Sequence, residues 1–126
     1  MMKIMAAKKP ILVVDDDTII CKLLTTYLDR SGFESHSANS GEHAMDILAE
    51  KQFFAVITDL KMGSLSGQDI IRHVKRTHPE TRVVMITGSC NETDENEAYQ
   101  NGVDDFFFKP FSMNAILSCL QHPSSR

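Results

Sequence analysis

Four short apolar runs in this 126-residue chain each give way at once to residues able to do chemistry. Ile11-Leu12-Val13-Val14 is followed by Asp15-Asp16-Asp17, the run 53–57 by Thr58-Asp59, the run 83–86 by Thr87, and the run 106–108 by Lys109-Pro110. Carboxylates from two neighbouring segments repel, and bringing them together without a cation forces pKa values upward. A hard divalent ion removes that cost. Magnesium takes one or two protein carboxylates, keeps several waters and leaves positions for phosphate oxygens, a demand that Asp16 and Asp59 meet with Asp15 in support. The Thr87 hydroxyl and the Lys109 ammonium then suit the oxygens of a phosphoryl group.

Taken singly, each residue has a plainer reading. An aspartate run ahead of a helix caps it and favours its dipole, which is the reading preferred for Asp17. Thr87 alone could bond back to its own backbone, and Lys109 alone is an ordinary surface lysine. Their joint occurrence after four separate apolar runs is what favours a functional site.

Other chemistries are excluded by what surrounds these residues. No Gly-x-Gly-x-x-Gly or Walker lysine loop follows the first run, so a nucleotide phosphate is not cradled there. His36, His43, His73, His78 and His122 show no metal-binding spacing, and the seven methionines form no stripe. Cys21, Cys90 and Cys119 are odd in number and far apart, which argues against a disulfide framework and for a reducing compartment. Seventeen acidic and thirteen basic residues give a formal charge of −4 with the basic ones scattered, unlike a nucleic-acid surface. The N-terminal stretch lacks the apolar segment of a secretory signal and no run reaches membrane-spanning length, so a cytoplasmic location is expected.

The elements that must position these residues follow from periodicity. Continuous apolar runs suggest strands buried on both faces, as in parallel sheets. Segment 33–38 alternates apolar and polar residues and reads as an edge strand. Between the runs lie helical periods: Ile19, Ile20, Leu23, Leu24, Tyr27 and Leu28, then Ala44, Ile47 and Leu48, then Ile70, Ile71 and Val74. Gly32 suits a left-handed close to the first helix, Ser40 a cap for the second, and Pro79 a stop for the third. Segment 91–101 offers only Ala98 and Tyr99 as apolar anchors and should be loosely held. A last helix follows Ser112, with Met113, Ile116, Leu117 and Leu120 on one side. Strand and helix alternating five times predict an α/β domain with a doubly wound parallel sheet and a ligand crevice beyond the carboxyl ends of its strands.

The segments I-L-V-V-D-D-D, V-I-T-D-L-K-M-G-S-L-S-G, V-V-M-I-T-G and F-F-F-K-P-F, in this order and at these distances, resemble the receiver domain of two-component response regulators, with the match running from Pro10 to Leu120. The resemblance implies a flavodoxin-like (βα)5 fold with strand order 2-1-3-4-5, a receiver domain over 10–121, an extension over 1–9 and a tail over 122–126. It implies Asp59 as phosphoacceptor, Mg2+ held by Asp15, Asp16, Asp59 and the Lys61 backbone carbonyl, Thr87 and Lys109 as phosphoryl-binding residues, and Thr87 with Phe106 as the switch. The implied phosphodonor is a sensor histidine kinase, a histidine phosphotransfer protein or a small phosphodonor. The implied output is a protein target on the face of helix 4, strand 5 and helix 5, or a homodimer formed on phosphorylation, with no direct contact to nucleic acid or membrane. Such a domain is a signalling phosphoacceptor that assists its own phosphorylation and dephosphorylation. In the family the bond resembling Lys109-Pro110 is commonly cis. Gly63 stands where proline is common, Gly88 where alanine is common and Phe106 where tyrosine is frequent.

Two alternatives compete. A haloacid-dehalogenase-type phosphohydrolase also uses magnesium and a strand-end aspartate, and Asp15-x-Asp17 with Asp104-Asp105 superficially fit it. That family wants threonine where Ile19 stands and places its lysine before the acidic pair, whereas Lys109 follows it. A receiver-like interaction module that is never phosphorylated would normally lack an acid, the threonine or the lysine, and none is missing here. Only fifteen residues follow Phe111, so no DNA-binding or enzymatic output is expected within this chain, which reads as a stand-alone receiver or an excised fragment.

Overall fold

In the computed structural model, residues 7–89 and 91–122 are described. Cys90, most of the N-terminal extension and nearly all of the tail lie outside them. Strands β1 (Pro10–Val14), β2 (Glu34–Ala38), β3 (Ala55–Asp59), β4 (Arg82–Thr87) and β5 (Asp105–Phe108) alternate with helices α1 (Thr18–Arg30), α2 (Gly41–Glu50), α3 (Gly67–Thr77), α4 (Glu92–Gln100) and α5 (Met113–Gln121). The five strands are parallel in the order β2-β1-β3-β4-β5, the doubly wound flavodoxin-like arrangement.

Alternate residues of each inner strand enter opposite cores. Ile11 and Val13 face α1 and α5, packing with Leu24, Leu28, Ile116 and Leu120. Leu12 and Val14 face the other side, with Ala44, Leu48, Ile70, Ile71, Val74 and Ala98. Each large aliphatic side chain so buried contributes about 1.5–3 kcal/mol, which is why unbroken apolar runs become inner strands. Register then fixes the crevice: Val14 pairs with Thr58, Asp59 with Ile86 and Thr87 with Phe108, so the carboxyl ends of four strands finish side by side.

The expected helix boundaries hold. Asp17, Ser40 and Ser112 accept hydrogen bonds from the first turns of α1, α2 and α5, Gly32 has φ +95° after α1, and α3 ends two residues before Pro79. Three expectations are corrected. The strand expected over 53–57 lies two residues later, because Phe53 and Phe54 precede the ladder: Phe53 is buried in one core and Phe54 stacks on Phe33. The 106–108 run is not buried on both faces, since β5 is an edge strand and Phe108 is exposed. Ile19 and Leu23 do not cover the sheet but face outward, 71% and 52% exposed. Among the described residues no helix is long and apolar enough to cross a membrane.

Candidate functional site

Asp15 directly follows β1, and its backbone N–H, donated to the Ala38 carbonyl at 3.1 Å, extends the ladder by one residue. The residue is 3% exposed. Oδ1 accepts the Asp17 backbone N–H at 2.9 Å, and Oδ2 accepts from Lys109 Nζ at 3.1 Å. Asp17 turns away to cap α1, accepting from the Ile19 and Ile20 amides, as its plainer reading required. Asp16 stays exposed between them.

Asp59 is the last residue of β3. Leu60 N–H holds its Oδ1 at 2.6 Å, and Lys109 Nζ reaches its Oδ2 at 3.1 Å, the same distance as to Asp15. Lys109 arrives from beyond β5: its backbone N–H bonds the Thr87 carbonyl at 2.8 Å, and the bond to Pro110 is cis. Asp15, Asp16 and Asp59 each bring a carboxylate oxygen within 4.8 Å of the other two.

Charge in this cluster is unbalanced. Burial pushes the Asp15 carboxyl above its ordinary value; the Asp17 amide opposes this, the Asp59 charge adds to it, and Lys109 offsets it only in part. Burial alone would depress Lys109, yet its bonds to Asp59 and Asp15 raise it. Three carboxylates against one ammonium leave two negative charges. Hard oxygen donors with a surplus of two negative charges fit a divalent cation, and one of the donors, Asp16, is open to solvent.

Thr87, at the end of β4, is buried, and its hydroxyl is engaged with its own loop: it donates to the Ser89 carbonyl at 3.1 Å and accepts from Ser89 N–H at 3.3 Å. Lys61 is exposed in the loop after β3. In that loop Gly63 has φ +75°, a left-handed conformation that a proline could not adopt. Gly88 is a milder departure, because a Cβ there would meet Lys109 Cδ at an ordinary 3.7 Å. Phe106 is half-buried, its ring 6.3 Å from that of Tyr99 on α4 and 5.3 Å from that of Phe108.

Asp104 and Asp105 do not approach the cluster. They sit at the start of β5, at the opposite end of the sheet, paired with Lys75 at 2.8 Å and Arg82 at 2.7 Å, which removes the acidic pair that the phosphohydrolase reading needed.

Three contributors were not legible in the sequence. A Cβ on Gly67 would lie 2.3 Å from the Asp59 carbonyl oxygen, so only glycine lets α3 start against the strand end. Gly41 plays the same part under Leu65, where a Cβ would meet the leucine Cβ at 2.4 Å. Gln68, buried at the start of α3, bonds to both ends of α4. The pairs Ser40-Gly41 and Ser66-Gly67, a cap followed by a glycine, were the one available hint.

Comparison with known proteins agrees with this geometry. Residues 11–121 match the family described as the response regulator receiver domain. The transcriptional regulatory protein SrrA of Staphylococcus aureus is 34% identical over 107 residues, covering 85% of this chain and 44% of its own length. The chain thus spans less than half of the curated relatives it matches. A Burkholderia pseudomallei response regulator, crystallised with a phosphorylated aspartic acid, a calcium ion and citrate, superposes with TM-score 0.85 at 27% identity, covering 91% of this chain and 68% of the other. The BeF3-activated receiver domain of Thermotoga maritima DrrB gives TM-score 0.83 at 29% identity, with coverage of 91% and 96%.

Proposed function

The chain belongs to the response regulator receiver domains of two-component systems, and from that premise we propose that Asp59 accepts a phosphoryl group with Mg2+ held by Asp15, Asp16, Asp59 and the Lys61 carbonyl. The donor is the phosphohistidine of a sensor kinase or phosphotransfer protein, or a small phosphodonor such as acetyl phosphate. The observation that carries this reading is Lys109 Nζ standing 3.1 Å from both Asp15 and Asp59 in a cluster still two charges short of neutrality. A structural ion pair has no use for that surplus.

The residues divide the work. A carboxylate oxygen of Asp59 forms the new P–O bond as the P–N bond to the donor imidazole breaks, the electron pair leaving on the imidazole nitrogen. The Leu60 amide fixes the Asp59 rotamer before the reaction. Lys109, freed from one of its two carboxylate partners, neutralises phosphoryl oxygens in a loose transition state, and the buried walls strengthen that attraction. Bound magnesium supplies charge neutralisation and a template for the transferring oxygens. Thr87 exchanges the Ser89 carbonyl for a phosphoryl oxygen, which links chemistry to conformation.

This is a signalling step rather than turnover of a substrate, performed in the cytoplasm. Its readout is the face of α4, β5 and α5, where Tyr99, Phe106 and Phe108 gather, presented to a downstream protein or to a second phosphorylated copy. The test is incubation with acetyl phosphate and magnesium followed by mapping of the acyl-phosphate adduct. Label on Asp59, absent from Asp59→Asn, is expected; label that persists in Asp59→Asn overturns the assignment.

A further inference from the structure

Helix α4 has little to hold it. Of its nine residues only Ala98 is buried, and Tyr99 on its surface is 44% exposed. Its apolar packing rests on Ala98 in the core and on the Tyr99 ring stacked against Phe106. One polar side chain compensates: Gln68, the second residue of α3, is 6% exposed. Its Nε2 donates to the Asp94 carbonyl at 2.9 Å, in the first turn of α4, and its Oε1 accepts from Asn101 Nδ2 at 2.9 Å, at the C-cap. The Asp94 carbonyl can only accept, so the amide nitrogen must face it and the oxygen is left for Asn101. A single amide thereby spans the helix from first turn to last. Because Gln68 itself is buried, losing either bond would leave its amide poorly placed to find water instead. Arg72, one turn further along α3, adds an exposed bridge to Glu97.

The other side of Gln68 is joined to the reacting residue. Its neighbour Gly67 donates its backbone N–H to the Leu60 carbonyl at 2.8 Å and lies against the Asp59 backbone so closely that no Cβ fits. A shift of the Asp59–Leu60 segment would be passed to Gly67 through that contact, and Gln68 would move with Gly67.

We propose that Gln68 is a latch tying α4 to the strand end that carries Asp59, so that α4 reports the state of Asp59 through α3 as well as through the loop after β4. The activated half of this claim rests on the phosphoacceptor reading above; the resting half does not.

Amide hydrogen exchange tests both halves on the full chain, with and without magnesium and beryllofluoride as the phosphoryl mimic. In the resting protein, Gln68→Leu should raise exchange across 92–101 by about tenfold, the order expected from losing its two hydrogen bonds to α4, and leave α1 and α2 unchanged. Asn101→Ala should raise it in part, and the double variant should exchange no faster than Gln68→Leu alone, the signature of one shared interaction. With beryllofluoride, the parent should change protection in 92–101, and Gln68→Leu should lose the part of that change that arrives through α3 while keeping the response at 105–108. An undiminished response of 92–101 in Gln68→Leu overturns the latch, as does unaltered resting exchange. If beryllofluoride alters no peptide of the parent, it is the Asp59 reading that falls. The latch is then decided by resting exchange alone: the rise in 92–101 supports it and no rise refutes it.

Discussion

Asp15 is worse placed as an anion in this fold than in water, because burial and the neighbouring Asp59 charge outweigh the Asp17 amide and Lys109. A carboxyl raised in this way subtracts from stability once pH exceeds its ordinary value of 3.8. A divalent cation held at the cluster, as proposed above, would offset that cost. Asp15→Asn keeps an oxygen for the Asp17 amide while removing the charge, so it should raise the melting temperature of the metal-free protein. The same change should largely erase stabilisation by magnesium, which in the parent amounts to about 1.4 kcal/mol at ten times the dissociation constant. Melting curves across a magnesium titration check both signs: a parent indifferent to magnesium, or a metal-free Asp15→Asn less stable than the parent, contradicts the account. Lifetime of the phosphoryl group is a second question at this scale. Lys61 and Ser89, two residues beyond Asp59 and Thr87, are both exposed, and neither carries a carboxylate or amide to orient an attacking water. Self-dephosphorylation should therefore be slow, and Lys61→Asn should speed it several-fold in a label-decay assay; equal decay rates would refute the idea.

Helix α1 begins two residues past the acidic pair and turns Ile19 and Leu23 outward, beside Lys22, Tyr27, Arg30 and Met113. Exposed large aliphatics grouped beside the acidic pair suit a surface for the proposed phosphodonor protein. If that donor covers them, burying each would contribute up to about 1.5–3 kcal/mol, or roughly tenfold or more in affinity. Ile19→Ser and Leu23→Ser should thus slow phosphotransfer from a histidine donor protein and leave labelling by acetyl phosphate unchanged; equal losses with both donors would place the effect in the crevice itself. The apolar period of 19–28 showed a helix but not which of its residues faced the sheet, since Ile19, Ile20, Leu23 and Leu24 fill both sides of the same turns. Strands β1 and β4 were legible because both their faces are buried, whereas 106–108 looked alike and became an edge, for strand order is a tertiary property. Asp15, Asp16, Asp59 and Lys109 were legible as a group because parallel topology sends every strand end to one side. Gln68 was not, as nothing in local pattern distinguishes a glutamine that will be buried from one left in water.

At the scale of the whole molecule, two connections leave the crevice. One runs along α3 through Gln68 to α4; the other runs from Thr87 to β5, whose Phe108 pairs with Thr87 in the sheet. In the resting structure the Thr87 hydroxyl is held by Ser89 and the Phe106 ring stands against Tyr99 and Phe108, half out of the core. On the proposed reading, a hydroxyl that turned to a phosphoryl oxygen would release the Ser89 carbonyl and let the Phe106 ring rotate toward β4. Phe106 has no hydroxyl to anchor either position, so the bias comes from burial of the ring and from the new Thr87 contact, together a few kcal/mol. Thr87→Ala removes the second contribution without touching Asp59, Lys109 or the acidic pair. Amide exchange with beryllofluoride should then change at 105–108 in the parent and barely at all in Thr87→Ala, while 92–101 keeps the part of its response that arrives through Gln68. A Thr87→Ala variant whose β5 responds as fully as the parent's would show that Phe106 takes its signal from somewhere other than the threonine.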